Sequence, residues 1–309
     1  MAVQVAGSIN VDLIQSVEAL PRPGETVLSF RSARLPGGKG ANQAVAAARM
    51  GAPTRMIGAV GSDDGGSWMR GMLEEHGVDT QAIAALKDMA TGLASIAVDC
   101  SGENQIIVNP GANEAVTPDQ AAQIRPEAQV LLAQLEIPVD TVRAFFTAPA
   151  AQGRIRILNA APALREAAPL FDHADILIVN QHELAHYLGL SDAPQSAEDA
   201  LVARQLIARG DQAVIVTLGA LGAVAVWNDR HFHAPALSVT PIDTIGAGDC
   251  FCGALAALLD SGESVEAALP LANAAAALCT QKQGAIPAMP SRSEAENALE
   301  LGTAPAAPN

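Results

Sequence analysis

The chain has 309 residues, half of them hydrophobic by type but only 3% aromatic, so alanine, valine, leucine and isoleucine must fill its interior; that much apolar material excludes disorder as the main state. Its 33 acidic residues outnumber 18 basic ones and leave a net charge of −15, which disfavours nucleic acid and anionic membranes as partners but allows a small anion in a locally positive pocket. Four scattered cysteines, Cys100, Cys250, Cys252 and Cys279, make neither a disulfide framework nor a CxxC zinc site. The opening MAVQVAGSIN lacks the basic and apolar regions of a signal peptide, so a cytoplasmic protein is expected. The longest uncharged runs, 213–228 and 267–281, are short or interrupted by Gly219, Gly222, Pro270 and Asn273, and neither reads as a membrane span.

In chain order, short apolar runs at 3–9, 54–60, 129–136, 155–159, 176–180 and 213–218 read as buried strands. Helical stretches separate them at 39–50, 64–77, 139–150, 163–171 and 196–210. This rhythm predicts a mostly parallel sheet with helices on both faces and right-handed crossovers. Segments 26–35 and 93–108 break it, being strand-like with polar interruptions and no helix attached. They predict a small β-sheet lid, with strands falling within 11–35 and 91–110. Beyond residue 245 the chain reads as helical, at 246–259, 265–280 and 293–301, and the tail GTAPAAPN is expected to fray. No repeat or linker divides the chain, so 1–309 is expected to form a single three-layer α/β/α domain with a lid.

Two stretches carry chemistry. Gly37-Gly38-Lys39-Gly40-Ala41-Asn42 puts three glycines before a helix, where backbone can approach a ligand closely. It is not a Walker A loop, because Gly40 follows the Gly-Lys pair where Ser or Thr is required. Lys39 and Asn42 flank the turn as donors for sugar hydroxyls; a plain glycine turn with a solvated lysine is the bland alternative. Asp243-Thr244-Ile245-Gly246-Ala247-Gly248-Asp249 opens a long helix, whose first N–H groups suit the charge of a phosphoryl group in transfer. Asp249 at that mouth is placed to accept a hydroxyl proton; otherwise it is an ordinary N-terminal capping aspartate.

These stretches, with Gly7-Ser8-Ile9-Asn10-Val11-Asp12, Pro23-Gly24-Glu25-Thr26, Pro110-Gly111-Ala112-Asn113, Leu158-Asn159-Ala160-Ala161-Pro162-Ala163, Asn180-Gln181-His182-Glu183 and Thr217-Leu218-Gly219 with Gly222, resemble in order the motifs of the ribokinase-like carbohydrate kinase family. Ala160 stands where that family's NPAPA stretch has its first proline. The resemblance covers residues 5 to about 290. It implies the family's fold and an ATP-dependent sugar kinase, with D-ribose phosphorylated at its 5-hydroxyl as the leading reaction. It implies that Asn10, Asp12, Gly38, Lys39, Asn42 and Glu136 hold the sugar, that Asp249 is the base, and that Gly246, Ala247 and Gly248 form the anion hole. ATP would lie on Asn180, Thr217, Gly219, Gly222, Gly248 and Asn273, with Glu183 acting on Mg²⁺ through water. A K⁺ ion beside the anion hole would use Asp243 and Ile245, with carbonyls of Cys279, Lys282 and Gly284; Ala288 departs from the serine usual there. A homodimer formed through the lid is also implied.

Competing readings remain. His182-Glu183-Leu184-Ala185-His186 is a literal HExxH, extended by Gly189 and Asp192 towards a zinc-protease pattern. It starts directly after a strand, however, and Glu183 is claimed by the N-x-x-E match. A kinase for another small sugar or a nucleoside is the nearer rival, although Leu28, Phe30, Leu93 and Ile107 offer little stacking surface for a base. Cys250 and Cys252, at i and i+2 of a helix, point to different faces and read as core residues. His231 and His233 read as solvated strand residues, and Trp68 and Trp227 as packing aromatics.

Overall fold

The computed structural model describes residues 1–302. The expectation for the tail therefore falls, from Thr303 onward, outside the described residues. The first half of the chain forms β1 (Ala2–Ala6), β2 (Asn10–Val17), β3 (Ser29–Gly37), α1 (Lys39–Arg49), β4 (Thr54–Gly61), α2 (Asp64–Glu75), β5 (Val78–Leu86), β6 (Gly92–Val98), β7 (Asn104–Asn109), α3 (Pro118–Ala121) and β8 (Ala128–Ala133). The second half forms α4 (Val139–Thr147), β9 (Ile155–Asn159), β10 (Ile176–Asn180), α5 (Gln181–Leu188), β11 (Ala213–Thr217), β12 (Ala223–Val226), β13 (His231–Ala234), α6 (Ala247–Asp260), α7 (Val265–Cys279) and α8 (Arg292–Leu301).

Nine strands form one sheet in the order β13-β12-β11-β10-β9-β8-β1-β4-β5, parallel from β5 to β11 and antiparallel at β12 and β13. Successive side chains on a strand point to opposite faces, so a strand covered on both sides must be apolar throughout. Val130 and Leu132 of β8 pack into the cluster containing α1, α6 and α7, while Leu131 and Ala133 pack into the cluster containing α4. Ile176 and Ile178 divide from Leu177 and Val179 in the same way. That is why the continuous apolar runs read correctly as parallel strands. Among the described residues no helix is long and apolar enough to cross a membrane.

The lid is a second sheet, β3-β2-β6-β7. Its central strand β2 starts at Asn10, only three residues beyond β1, so lid and main sheet share a root. The 93–108 segment divides into β6 and β7, joined antiparallel. Three sequence expectations need correction. The edge strand β5 is an addition to the predicted strands; its VDTQAIAAL is only half covered, and Asp79, Thr80 and Gln81 make its first half polar. The strand expected at 213–218 is β11, and β12 (Ala223–Val226), within the same uncharged run, is a further strand outside the expectation. Segments 163–171 and 196–210 are 3₁₀ turns over Arg165–His173 and Asp199–Leu206, not α-helices. Pro169 removes a helical donor from the first, and in the second the buried Ala200, Ala203 and Leu206 recur every third residue, the 3₁₀ period.

Helices α1 and α6 touch through Gly253, where a methyl group would stand 2.4 Å from the Gln43 carbonyl oxygen and 2.5 Å from Ala46 Cβ. Helix propensity alone favours Gly→Ala by about 1 kcal/mol. Overpacking against backbone outweighs that, so Gly253→Ala is expected to lower stability by roughly 1–3 kcal/mol, read as a reduced urea midpoint.

Candidate active site

Open parallel sheets bind ligands beyond the carboxyl ends of strands, where the strand order reverses. Here the reversal lies between β1 and β8, since β4 flanks β1 on one side and β8 on the other. Residues following those two strands meet there. Glu136 accepts hydrogen bonds on Oε2 from the Ser8 hydroxyl at 2.5 Å and the Lys39 N–H at 3.0 Å. Gly38 precedes α1 with φ 88°, a conformation that disfavours side chains, and a Cβ there would lie 2.7 Å from the Asn10 nitrogen.

Asp12, Lys39, Glu136 and Asp249 form one charged cluster at this root. Burial, then Glu136 and Asp249, push the Asp12 carboxyl up to about 6, against the pull of Lys39. The Lys39 ammonium is raised, chiefly by Asp249, against the opposing effect of burial. Asn10 joins the cluster through a residue to which sequence reasoning gave no role of its own. Asn113, fully buried, accepts from the Ile9 N–H at 2.9 Å and donates to Asn10 Oδ1 at 2.7 Å. That bond fixes the Asn10 oxygen and leaves its NH₂ group as the free donor. The only sequence signal was the position of Asn113 in Pro110-Gly111-Ala112-Asn113.

Asp249 lies in the first turn of α6, buried. Its Oδ2 accepts from Asn42 Nδ2 at 2.9 Å and its Oδ1 from Gln43 Nε2 at 2.9 Å. Burial raises the Asp249 pKa, opposed by Lys39 and these two amides. Asn42 thus differs from its expected place as a sugar donor. Its NH₂ is engaged by the aspartate, and the Oδ1 that remains is a buried acceptor without a protein partner.

The helix begins at Gly246 with φ 78°, left-handed as a glycine allows. First-turn N–H groups have no intrahelical acceptor. The Ala247 N–H is turned back to the Thr244 carbonyl at 3.3 Å, which narrows the expected three-residue anion hole towards Gly248 and Asp249.

Two cavities adjoin this helix start. One of about 500 Å³ is mainly apolar, its walls including Leu237, Val239, Phe251 and Ala276. It brings together Thr217, Gly219, Gly222, Gly248 and Asn273, five of the expected nucleotide residues. Asn273 is a wall rather than a free donor, because its Nδ2 donates to the carbonyls of Ala234 at 2.7 Å and Pro235 at 3.4 Å. The other cavity, about 220 Å³, is lined by Lys39, Asn180, Glu183 and Asp249 among others, and Thr217 and Gly248 line both. An apolar cavity and a polar one thus share two wall residues, and Asp249 lines the polar one.

The profile of the pfkB family of carbohydrate kinases matches residues 2–292. The chain belongs to that family. It is 37% identical over 298 residues to the ribokinase of Bacillus subtilis, covering 96% of this chain and 98% of that protein. It is 34% identical over 307 residues to the deoxyribokinase of Salmonella typhi, covering 97% and 99%. The structure of Arabidopsis thaliana ribokinase complexed with ribose and ATP matches at a TM-score of 0.83 and 30% identity, covering 97% of this chain and 99% of that one. The expected ribokinase-like α/β fold is thereby established, and this pfkB-family kinase is a phosphotransferase with an alcohol group as acceptor.

The HExxH reading gives way to this assignment. Asn180 caps α5, its Oδ1 accepting from the N–H groups of His182 and Glu183, while the Glu183 carboxylate accepts from the Asn180 N–H at 2.8 Å. His182-Glu183 is therefore the start of an eight-residue helix that ends at Gly189, and both His182 and His186 are exposed. Burial raises the Glu183 pKa. In the region expected to hold K⁺, Asp243 accepts from the N–H groups of Ile245 at 3.0 Å and Gly284 at 2.8 Å, which draws those two loops together. The Cys279 carbonyl accepts from the Lys282 N–H at 3.4 Å, and Ala288 is buried with only a methyl group to offer. Cys250 and Cys252 are buried, as expected of core residues, although Cys252 also reaches the wall of the smaller cavity.

Proposed function

We propose that this carbohydrate kinase transfers the γ-phosphoryl group of ATP to the 5-hydroxyl of D-ribose, giving D-ribose 5-phosphate and ADP. The observation that carries this reading is the Asp249 carboxylate, held by two amides where the charged root of the lid meets the adjoining cavities. A polyol needs donors and acceptors together, and an apolar substrate would leave such groups unpaired at roughly 1–3 kcal/mol each. Asn10 and Lys39 are the donors; Asp12, Glu136 and the Asn42 carbonyl are the acceptors; Gly38 lets the backbone approach. The adenine of ATP takes the apolar chamber, with Thr217, Gly219, Gly222 and Asn273 around it and Asn180 nearer the phosphates.

In phosphoryl transfer the protein mainly positions and stabilises charge. Asp249 orients the attacking hydroxyl and takes its proton as the bond to phosphorus forms. The α6 start, through the N–H groups of Gly248 and Asp249, faces the charge on the transferring group. The lid, β2, β3, β6 and β7, keeps water from the phosphoryl group once the sugar is seated. Glu183, a carboxylate on the wall of the smaller cavity, suits Mg²⁺ held through water, which supplies charge neutralisation on the phosphates. A K⁺ ion beside the anion hole would be held by Asp243 and the carbonyls of Ile245, Cys279, Lys282 and Gly284, with no hydroxyl from Ala288, and would supply positive charge next to the helix start. A homodimer through the lid belongs to the same reading, supported by Phe30, Ile106, Ile107 and Val108 exposed on its edge strands and Leu28 exposed just before β3. A cytoplasmic setting also belongs to it, supported by four unpaired thiols.

ADP release on a panel of D-ribose, 2-deoxy-D-ribose, hexoses and nucleosides tests the reading. D-ribose is expected to give the highest kcat/KM, with turnover higher in K⁺ than in Na⁺. A nucleoside or hexose that surpasses both pentoses would overturn the substrate assignment, and equal rates in the two salts would remove the K⁺ site.

A further inference from the structure

We propose that Gln43, braced by Gln134, is a positioning residue that fixes the Asp249 carboxylate for the transfer; this rests on the reading of Asp249 as the base. Gln43 is fully buried in α1 and lines neither cavity itself, standing behind the wall of the smaller one. Its Nε2 donates to Asp249 Oδ1 at 2.9 Å and to Asn159 Oδ1 at 3.0 Å, and its Oε1 accepts from Gln134 Nε2 at 2.7 Å. Gln134, also fully buried, lies at the end of β8, and Asn159 closes β9. The chain of amides has one sense only. If Gln43 turned over, its oxygen would face two other oxygens, Asp249 Oδ1 and Asn159 Oδ1, while its NH₂ met the NH₂ of Gln134. The Asp249 carboxylate, which can only accept, therefore sets the sense of the chain; Gln43 presents it a donor, and Gln134, whose Oε1 has no other protein partner, braces the Gln43 oxygen through its own Nε2.

The consequence is specific to Asp249. Asn42 holds Oδ2 and Gln43 holds Oδ1, so the carboxylate cannot rotate about its own axis without losing a bond. A donor to the ionised form also favours ionisation where burial opposes it. The other groups facing Asp249 are Lys39 from α1, Asp12 from β2, Glu136 beyond β8, Glu183 from α5, and the thiols of Cys250 and Cys252 on its own helix. Lys39 is the one cation among them, so each donated hydrogen bond weighs on the protonation of Asp249.

The test is the pH dependence of kcat for Gln43→Met, Gln43→Glu and Gln134→Met, with Asp249→Asn in the same series. Gln43→Met is expected to lower kcat at least tenfold, to leave KM for ribose and ATP within about threefold, and to move the acid limb of kcat upward by about one pH unit, a tenfold change in proton affinity. Gln43→Glu, which keeps the shape but adds an acceptor, is expected to move the limb further the same way. Gln134→Met is expected to move it less, because the Gln43 donor survives without its brace. An unmoved acid limb in both Gln43 variants overturns the proposal and leaves Gln43 a structural residue. Should Gln43→Met not fold, Gln43→Glu and Gln134→Met read the same limb, and a limb unmoved in both overturns the proposal equally. Near-normal turnover in Asp249→Asn instead sinks the base assignment itself, a result distinct from any of these.

Discussion

Asp249→Asn is expected to fold as the parent does and to lose turnover by about three orders of magnitude, within the range that removing a general base produces. Folding should survive because the site can accommodate the amide. Gln43 still donates to the remaining oxygen, and Asn42 can turn over to offer its unpaired Oδ1 to the new NH₂ group. Removing a buried carboxylate whose pKa is raised by burial also relieves a desolvation cost. Chemistry fails because an asparagine cannot take the hydroxyl proton. Single-turnover kinetics with D-ribose and ATP, alongside a urea melt, separates the two effects. Loss of turnover in step with loss of folded protein would make Asp249 a capping residue only, and turnover near that of the parent would remove it from the mechanism.

The second large effect is expected at Asp12, where affinity and stability should move in opposite directions. Its carboxyl is held at about 6 in the folded chain against an ordinary value of 3.8. The folded state thus binds a proton that the unfolded chain releases between those values, so the stability associated with this group is full below pH 4 and is lost as pH rises through 6. Above pH 6 the charged, mostly buried Asp12 costs the fold about 2 kcal/mol, after allowance for its partial exposure. Asp12→Asn removes that cost, and the variant should melt several degrees higher at pH 7 but not at pH 4. The same substitution replaces a charge-assisted acceptor of sugar hydroxyls by a neutral amide, raising KM for ribose roughly 10- to 100-fold. In the parent, KM for ribose should rise as pH falls below 6, and that dependence should flatten in the variant. A variant no more stable than the parent at pH 7, with parent-like KM, would show that the carboxylate is neither strained nor used.

Much of this molecule can be read without coordinates wherever the cause is local. The apolar runs of β1, β8, β10 and β11 announce a sheet covered on both faces, because side chains alternate and both sides need cover. The turn at Gly38 and the helix start at Gly246 show in their glycines, since few other residues adopt their backbone angles. The N-x-x-E of Asn180 and Glu183 is a capping box in sequence as in space. Half-covered β5, whose first half is polar, and 3₁₀ turns, whose composition and near-helical period resemble those of α-helices, are less legible.

The residues that surround Asp249 show the boundary most clearly. The layered α/β class, the two glycine-led helix starts and the residue types of a phosphoryl-transfer site are all written in short stretches of chain, because each follows from backbone sterics or from periodicity within a few residues. It took the folded chain to bring Gln43, in an alanine-rich helix, to an aspartate 206 positions away, to set the Gln134 amide against the Gln43 oxygen, and to turn the Asn42 amide to that same aspartate. A buried side chain must find its hydrogen-bond partner wherever packing brings one, and that requirement imposes no spacing on the chain.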